Sequence, residues 1–488
     1  MDVAVIAIYI VAMIGIGWLA KRRVRNDEDF LVAGRRLGPM LYGGTLAAIV
    51  LGGASTIGGV RLGYRYGISG MWLVFSIGSG ILLLSLAFAA RINRLNVYTV
   101  SEMLELRYGP GTRLFSGIVM CSYALMLCVV STIAYSTILS VIFGIGKIPT
   151  MIIGGGVVIF YSMLGGMWSI TLTDFAQFVI KTTGIFVLLL PILLFKTGGI
   201  SGLASQLPPS ALSLTTIGGG AILAYFVTYF FGLLIGQDIW QRVFTARSDR
   251  VAKWAGAAAG IYCLLYALAG ASIGMAAKVL LPDIADQDDV YAIVVTRELP
   301  VGISGLVIAA ALAAIMSTSS GALIAAATVA KEDIVSRWSR SSYNRDCDGE
   351  PLPVPSDHGR REVENSRAYI LVFGVLGIAL ACSLRDILAA LTIAYDILVG
   401  GLLVAIVGGI VWQRGTVRGA QASMFVGSAA TLAALTLSGD IYASRPILVG
   451  LVASLVTYAI GSLLSDPTSA QVMSRWQARI EGNNAPTQ

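Results

Sequence analysis

The sequence predicts an all-α integral membrane protein, on three observations. Of its 488 residues 56% are hydrophobic and 12% charged, and the mean hydropathy is +0.80. A water-soluble fold of this length has no means of hiding so much apolar surface. Apolar runs of the length that crosses a bilayer recur along the chain. Lys and Arg then fall lopsidedly in alternate connections, which is a topology signal. The 56 glycines exceed the usual share of roughly 7%, as close helix packing and interrupted helices in lipid require.

The runs give about thirteen spans within a single transmembrane domain, 1–488. The first, 2–20, is followed by "KRRVR" (21–25) and has no small-residue cleavage site, so it reads as an extra first span and not a signal peptide. Spans 39–63 and 68–90 lead to "TVSE" (99–102), whose capping-box spacing starts a short cytoplasmic helix that Gly109 and Pro110 stop. Spans 114–143, 148–165 and 173–196 close a first half, 39–196. Spans 217–236, 254–280, 300–330, 367–384 and 388–412 form a second half, 217–412. Inside it lies a charged, proline-bearing insert, 331–367, expected to be a mobile cytoplasmic loop. Two further spans, 419–438 and 446–464, precede a cytoplasmic tail, 465–488. That tail reads as a short interfacial helix around Trp476 followed by disorder.

With the N-terminus outside, cytoplasmic segments hold 25 Lys and Arg and external ones eight, while Lys181 lies within a span. The basic pI, about 9.1, therefore reports membrane orientation, and the partner it implies is the lipid bilayer, not nucleic acid. Cys121, Cys128, Cys263, Cys347 and Cys382 form no CxxC pair, and the single histidine, His358, sits in the polar insert. Neither a disulfide framework nor a zinc site is suggested. A membrane enzyme needs a cluster of His, Cys or paired acids at one depth, so the chain is read as a non-enzyme without cofactor or obligate protein partner.

Chemistry is expected where the helices are poorest. "AAIVLGGASTIGG" (47–59) breaks span 39–63 at 51–55, although glycine costs about 1 kcal/mol against alanine inside a helix. Unwound backbone at membrane depth is tolerated only where it lines a cavity or lies within protein, and its freed carbonyls can hold a cation. Close helix packing is the alternative role for these glycines. Five spans later "LAYFVTYFFGLLIGQDIWQR" (223–242) breaks near Phe231–Gly232, and paired interruptions in two halves point to an inverted-repeat transporter. "ALAAIMSTSSGALIAAATVAKEDI" (311–334) sets Ala314, Ser317 and Thr318 on one helical face. Neutral oxygens without a carboxylate suit a hard monovalent ion, the alternative being hydroxyls that bond back to their own helix.

Six motifs in order, "GGASTIGGVRLGYRYGISGMW", "TVSEMLELRYG", "LGGMWSITLTDFAQ", "GQDIWQRVFTARS", "AAIMSTSSGALIAAATVAKEDI" and "TIAYDILVGGLL", give a chain that resembles the sodium/solute symporters over nearly its whole length. The resemblance implies a LeuT-like architecture of five-plus-five inverted repeats with extra flanking helices. It also implies a sodium site from the carbonyls of Ala48, Leu51 and Ala314 and the hydroxyls of Ser317 and Thr318. A second sodium site of some members is matched by Asp174, Ser317 and Ser320, but its third serine position is Gly321. Asp174 is otherwise an interfacial acid, a group on the ion's exit path, or the partner of Lys181. For the solute the resemblance points to Ser55, Thr56, Tyr229, Phe231, Gln237, Tyr395 and Asp396. The inner-gate tyrosine of the sugar carriers aligns with Gly232, which disfavours a sugar, and "QDIWQR" also reads as an anchor for its span. The function implied is sodium-coupled uptake of a small organic solute by alternating access. Proton coupling on the same scaffold, or a sensor or channel derivative, are the alternatives.

Overall fold

The computed structural model describes residues 1–336, 358–383, 387–438 and 445–482. Among them the secondary structure is helical, with one isolated bridge between Leu37 and Ala246. Ten described helices are long and apolar enough to cross a membrane, or eleven if the bent pair Gly219–Ile235 and Gln237–Val243 is one span.

Two of these helices, Ala54–Arg94 and Lys147–Lys196, run 41 and 50 residues, about twice what one crossing needs. Each turns back at a glycine. Gly67 takes φ 64° and ψ −143°, a conformation closed to side chains with a Cβ. The Asp249–Leu280 helix shows the reversal: Gly43 and Gly63 pack on its Ala255 and Ala271, whereas Gly78 and Leu82 pack on Leu264 and Gly260. The chain thus runs along that helix over 43–63 and returns over 78–82. Gly166 makes the second turn at φ 51° and ψ −134°. Beyond it the Ser169 hydroxyl donates back to the Tyr161 carbonyl at 2.8 Å, and Gly17 of the first helix packs against both residues.

The Ile303–Val329 helix is the axis of the bundle, wholly buried over its most apolar stretch. Its alanine-rich surface lets neighbouring backbones approach closely, which is how helices associate without a hydrophobic driving force.

At the predicted cytoplasmic end the Thr99 hydroxyl accepts from the Glu102 amide at 3.0 Å, while the Glu102 carboxylate accepts from the Tyr98 amide at 2.9 Å. Gly109 stops that helix with φ 96°. The expected tail helix around Trp476 forms over Ala470–Glu481 and is docked, with Trp476 only 3% exposed and Arg94 donating to the Ile480 and Glu481 carbonyls. One expectation needs correction. The insert read as loop is helical at both edges, over Ala330–Val335 and from His358 onward. Asp27 anchors those edges through Lys331 at 2.6 Å and Ser366 at 2.9 Å. The expected mobility of the insert's centre and disorder of the last residues concern 337–357 and 483–488, which lie outside the described residues.

Candidate functional site

The helix Pro39–Val50 ends at Leu51, whose φ −99° and ψ 67° leave helical space; a π-helical turn, Ala54–Gly58, resumes the span. A helix that stops leaves its last four carbonyls without partners along the helix, and a buried orphan costs about 1–3 kcal/mol. Here side chains cap all four. Lys181 Nζ donates to the Ala47 and Ala48 carbonyls at 3.1 and 3.4 Å. Ser317 Oγ donates to Ala48 at 2.9 Å and Thr318 Oγ1 to Ile49 at 2.6 Å. Ser55 Oγ reaches Val50 at 3.4 Å.

The two hydroxyls also bond back to the Ala314 carbonyl, at 2.9 Å from Ser317 and 3.3 Å from Thr318. The residues expected to hold sodium are therefore brought together: Ala48, Ala314, Ser317 and Thr318 share hydrogen bonds, and Leu51 is the residue that breaks the helix. This is a set of neutral oxygens, of the kind a hard monovalent cation accepts. The glycines do both jobs that the sequence left open. A Cβ on Gly52 would fall 3.0 Å from Thr318 Cβ, and one on Gly53 would fall 2.7 Å from Ala134 Cβ. Gly52 lies in the interruption beside Leu51, Gly53 already takes helical angles, and both let the interruption seat between two neighbours.

Beside the break lies a narrow cavity of about 40 Å³ whose walls include Gly52, Ser55, Thr318, Tyr229 and Tyr395. Tyr395 stands edge-on to both Tyr123 and Tyr229, with ring centroids 5.3 Å apart in each pair. Three of the seven expected solute residues thus line it, and four do not. Thr56 turns to Tyr266, hydroxyl to hydroxyl at 2.8 Å. Phe231 packs edge-on against Phe230. Gln237 bridges the Val100 amide at 2.8 Å and the Tyr98 carbonyl at 3.1 Å, the anchoring role its motif also suggested. Asp396 is buried outside the lining, and among the described residues neither of its carboxylate oxygens has a hydrogen-bond partner. Sequence reading missed Ser131 and Asp238, which add polar groups to an otherwise largely apolar lining; Asp238 was legible only as part of an anchoring motif.

The second interruption also differs from expectation. Gly232 stays helical and is glycine because a Cβ there would enter the Tyr395 ring. The chain bends by 44° at Gly236, which takes φ −60° and ψ 131°. Asp174 does not pair with Lys181. Its Oδ2 accepts from Thr45 at 2.6 Å and from Arg242 at 3.0 Å, with both charged side chains fully buried. Arg242 also lies against Gly321, so the position matching the third serine of a second ion site faces a guanidinium. Ser320 donates to the Ser317 carbonyl of its own helix at 3.2 Å. A fixed cation already serves the carboxylate there.

The family profile described as "Sodium:solute symporter family" matches residues 30–427. The chain is 26% identical to the high-affinity proline transporter PutP of Bacillus subtilis (strain 168), over 95% of this chain and 98% of that one. It is 24% identical to the sodium/pantothenate symporter of Escherichia coli (strain K12), over 93% and 94% of the two chains. Among solved structures, a Na+-coupled sialic acid symporter superposes with a TM-score of 0.82 at 20% identity, covering 96% of this chain and 98% of the other. A nucleobase-cation-symport-1 family transporter does so with 0.58 at 13% identity, over 92% and 98%. The fold is thus of the LeuT-like kind. A family match over most of the length makes this protein a member of the sodium:solute symporter family, a multi-pass solute symporter of the cell membrane rather than an enzyme.

Proposed function

We propose that this chain imports a small organic solute together with sodium by alternating access. Thirteen spans, the N-terminus outside and inverted repeats over 39–196 and 217–412 are part of the proposal; the turns at Gly67 and Gly166 support that division. The observation that carries the reading is the meeting of Ala48 and Ala314 carbonyls with the Ser317 and Thr318 hydroxyls at 2.9–3.3 Å. It joins the interrupted span to the central helix, and Thr318 also lines the cavity proposed for the solute. A bound sodium would lock these two elements and shape the cavity wall. By linkage, sodium then raises solute affinity and solute raises sodium affinity. One charge moving down the membrane potential supplies about 2.3 kcal/mol per 100 mV.

A panel of amino acids, small organic acids and quaternary or guanidino cations, scored by thermal shift with and without sodium, identifies the solute. Uptake of that solute into proteoliposomes then tests the site. Ser317→Ala and Thr318→Ala are each expected to abolish sodium-stimulated uptake while the protein still reaches the membrane. Wild-type rates in both variants would remove the basis for the site. Proton coupling is the second reading, favoured by one observation: Asp174 Oδ1 is buried without a hydrogen-bond partner among the described residues. Replacing sodium by choline at fixed pH abolishes uptake under the first reading and spares it under the second.

A further inference from the structure

Lys181 is only 1% exposed, in the last turn of the Lys147–Thr182 helix, where a π-helical turn, Thr183–Leu189, continues the span. Among the described residues no carboxylate lies within 4 Å of its ammonium, since Asp174 is taken by Thr45 and Arg242. The ammonium instead lies 3.1 and 3.4 Å from the Ala47 and Ala48 carbonyls, with the Tyr266 ring centroid 5.7 Å away. Cys263 and Tyr266, from the Asp249–Leu280 helix, and Asp174 on its own helix are the ionisable groups around it. A buried charge without a counter-charge is costly and marks a functional position. The carbonyl end of a helix carries partial negative charge that attracts a cation. This helix end has been given one covalently.

We propose that Lys181 is a tethered cation that competes with sodium for the interrupted helix and thereby sets sodium affinity. The inference rests on the sodium reading above. Ala48 is the shared ligand: its carbonyl is bonded by both Lys181 and Ser317. A sodium ion coordinated there would lie close to the ammonium, and like charges at such separations in a protein interior repel strongly. Sodium entry therefore displaces the ammonium toward the face of Tyr266, where the ring quadrupole holds a cation. Tyr266 is hydrogen-bonded to Thr56, so the displaced charge stays coupled to the segment beyond the break.

The test is the sodium concentration giving half of the maximal thermal shift of the purified full-length chain, with choline holding ionic strength constant. Lys181→Met removes charge and donor together. Lys181→Gln keeps a donor for the carbonyls without the charge, and guards against a Met variant that fails to fold. Both are expected to lower the half-maximal sodium concentration roughly tenfold or more, the order of effect of removing one like charge at close range. An unchanged or raised midpoint in the folded variants overturns the inference and leaves the sodium reading standing. A wild-type chain that ignores sodium beside a Lys181→Met chain that responds sustains the competition and overturns sodium coupling of the native protein. No response in either chain overturns both.

Discussion

The two interrupted spans, which the proposed repeat scheme makes counterparts, are stabilised in different ways. At Leu51 the free carbonyls are capped mainly from far along the chain, by Lys181, Ser317 and Thr318. At Gly236 the repair is local: the Gly236 amide bonds the Gly232 carbonyl at 3.0 Å, and the Trp240 indole bonds the Leu234 carbonyl at 2.8 Å. A break closed from within its own segment holds its shape whatever its neighbours do. A break closed by three distant side chains senses where those helices stand, and such an element suits coupling between an ion and a conformational change. Two interruptions within one bundle thus need not be chemically alike.

The two breaks are nonetheless tied together. Thr45 precedes the first, Arg242 follows the second, and Asp174 bonds both. The largest stability loss is expected from cutting this tie. Arg242→Ala leaves a buried carboxylate without its cation and should cost about 3–5 kcal/mol, read as a lower unfolding midpoint of the purified chain; an unchanged midpoint would show that the spans are not linked through Asp174. A smaller effect is expected at Gln237, where Ala would strand the Val100 amide and the Tyr98 carbonyl. That change should cost about 1–3 kcal/mol and leave the half-saturating sodium concentration unaltered. A shifted sodium midpoint would mean that the second break also feels the ion. The smallest effect is expected from Trp240→Phe, which removes only the local cap and should cost about 1 kcal/mol. Loss of sodium-stimulated uptake in that variant would erase the distinction between the breaks.

Much of this was legible in the chain. Lipid forces backbone groups to be satisfied within helices, so apolar runs mark the helices; the break expected over 51–55 falls on Leu51 and Gly52, with helix resuming at Gly53. Ala314, Ser317 and Thr318 share a face because helical periodicity is local. The capping box at Thr99 and the stop at Gly109 are local too, and both formed. Gly232 misled because glycine serves two physical ends, and here it admits the Tyr395 ring rather than breaking the helix. Gly236 does the bending, four residues on.

What the sequence determined by itself, then, is that the chain is a bundle of apolar helices, that one of them stops at Leu51 and which hydroxyls share a face, because those depend on neighbours a few residues apart. Tertiary structure alone decided that Lys181 caps Ala47 and Ala48 instead of pairing with Asp174, that Arg242 takes that carboxylate, and that Ser131 and Asp238 join the cavity while Phe231 and Asp396 do not. These pairings join residues dozens to hundreds of positions apart. Only the packing of whole helices against one another brings such groups within hydrogen-bonding reach, and no local pattern in the sequence records that packing.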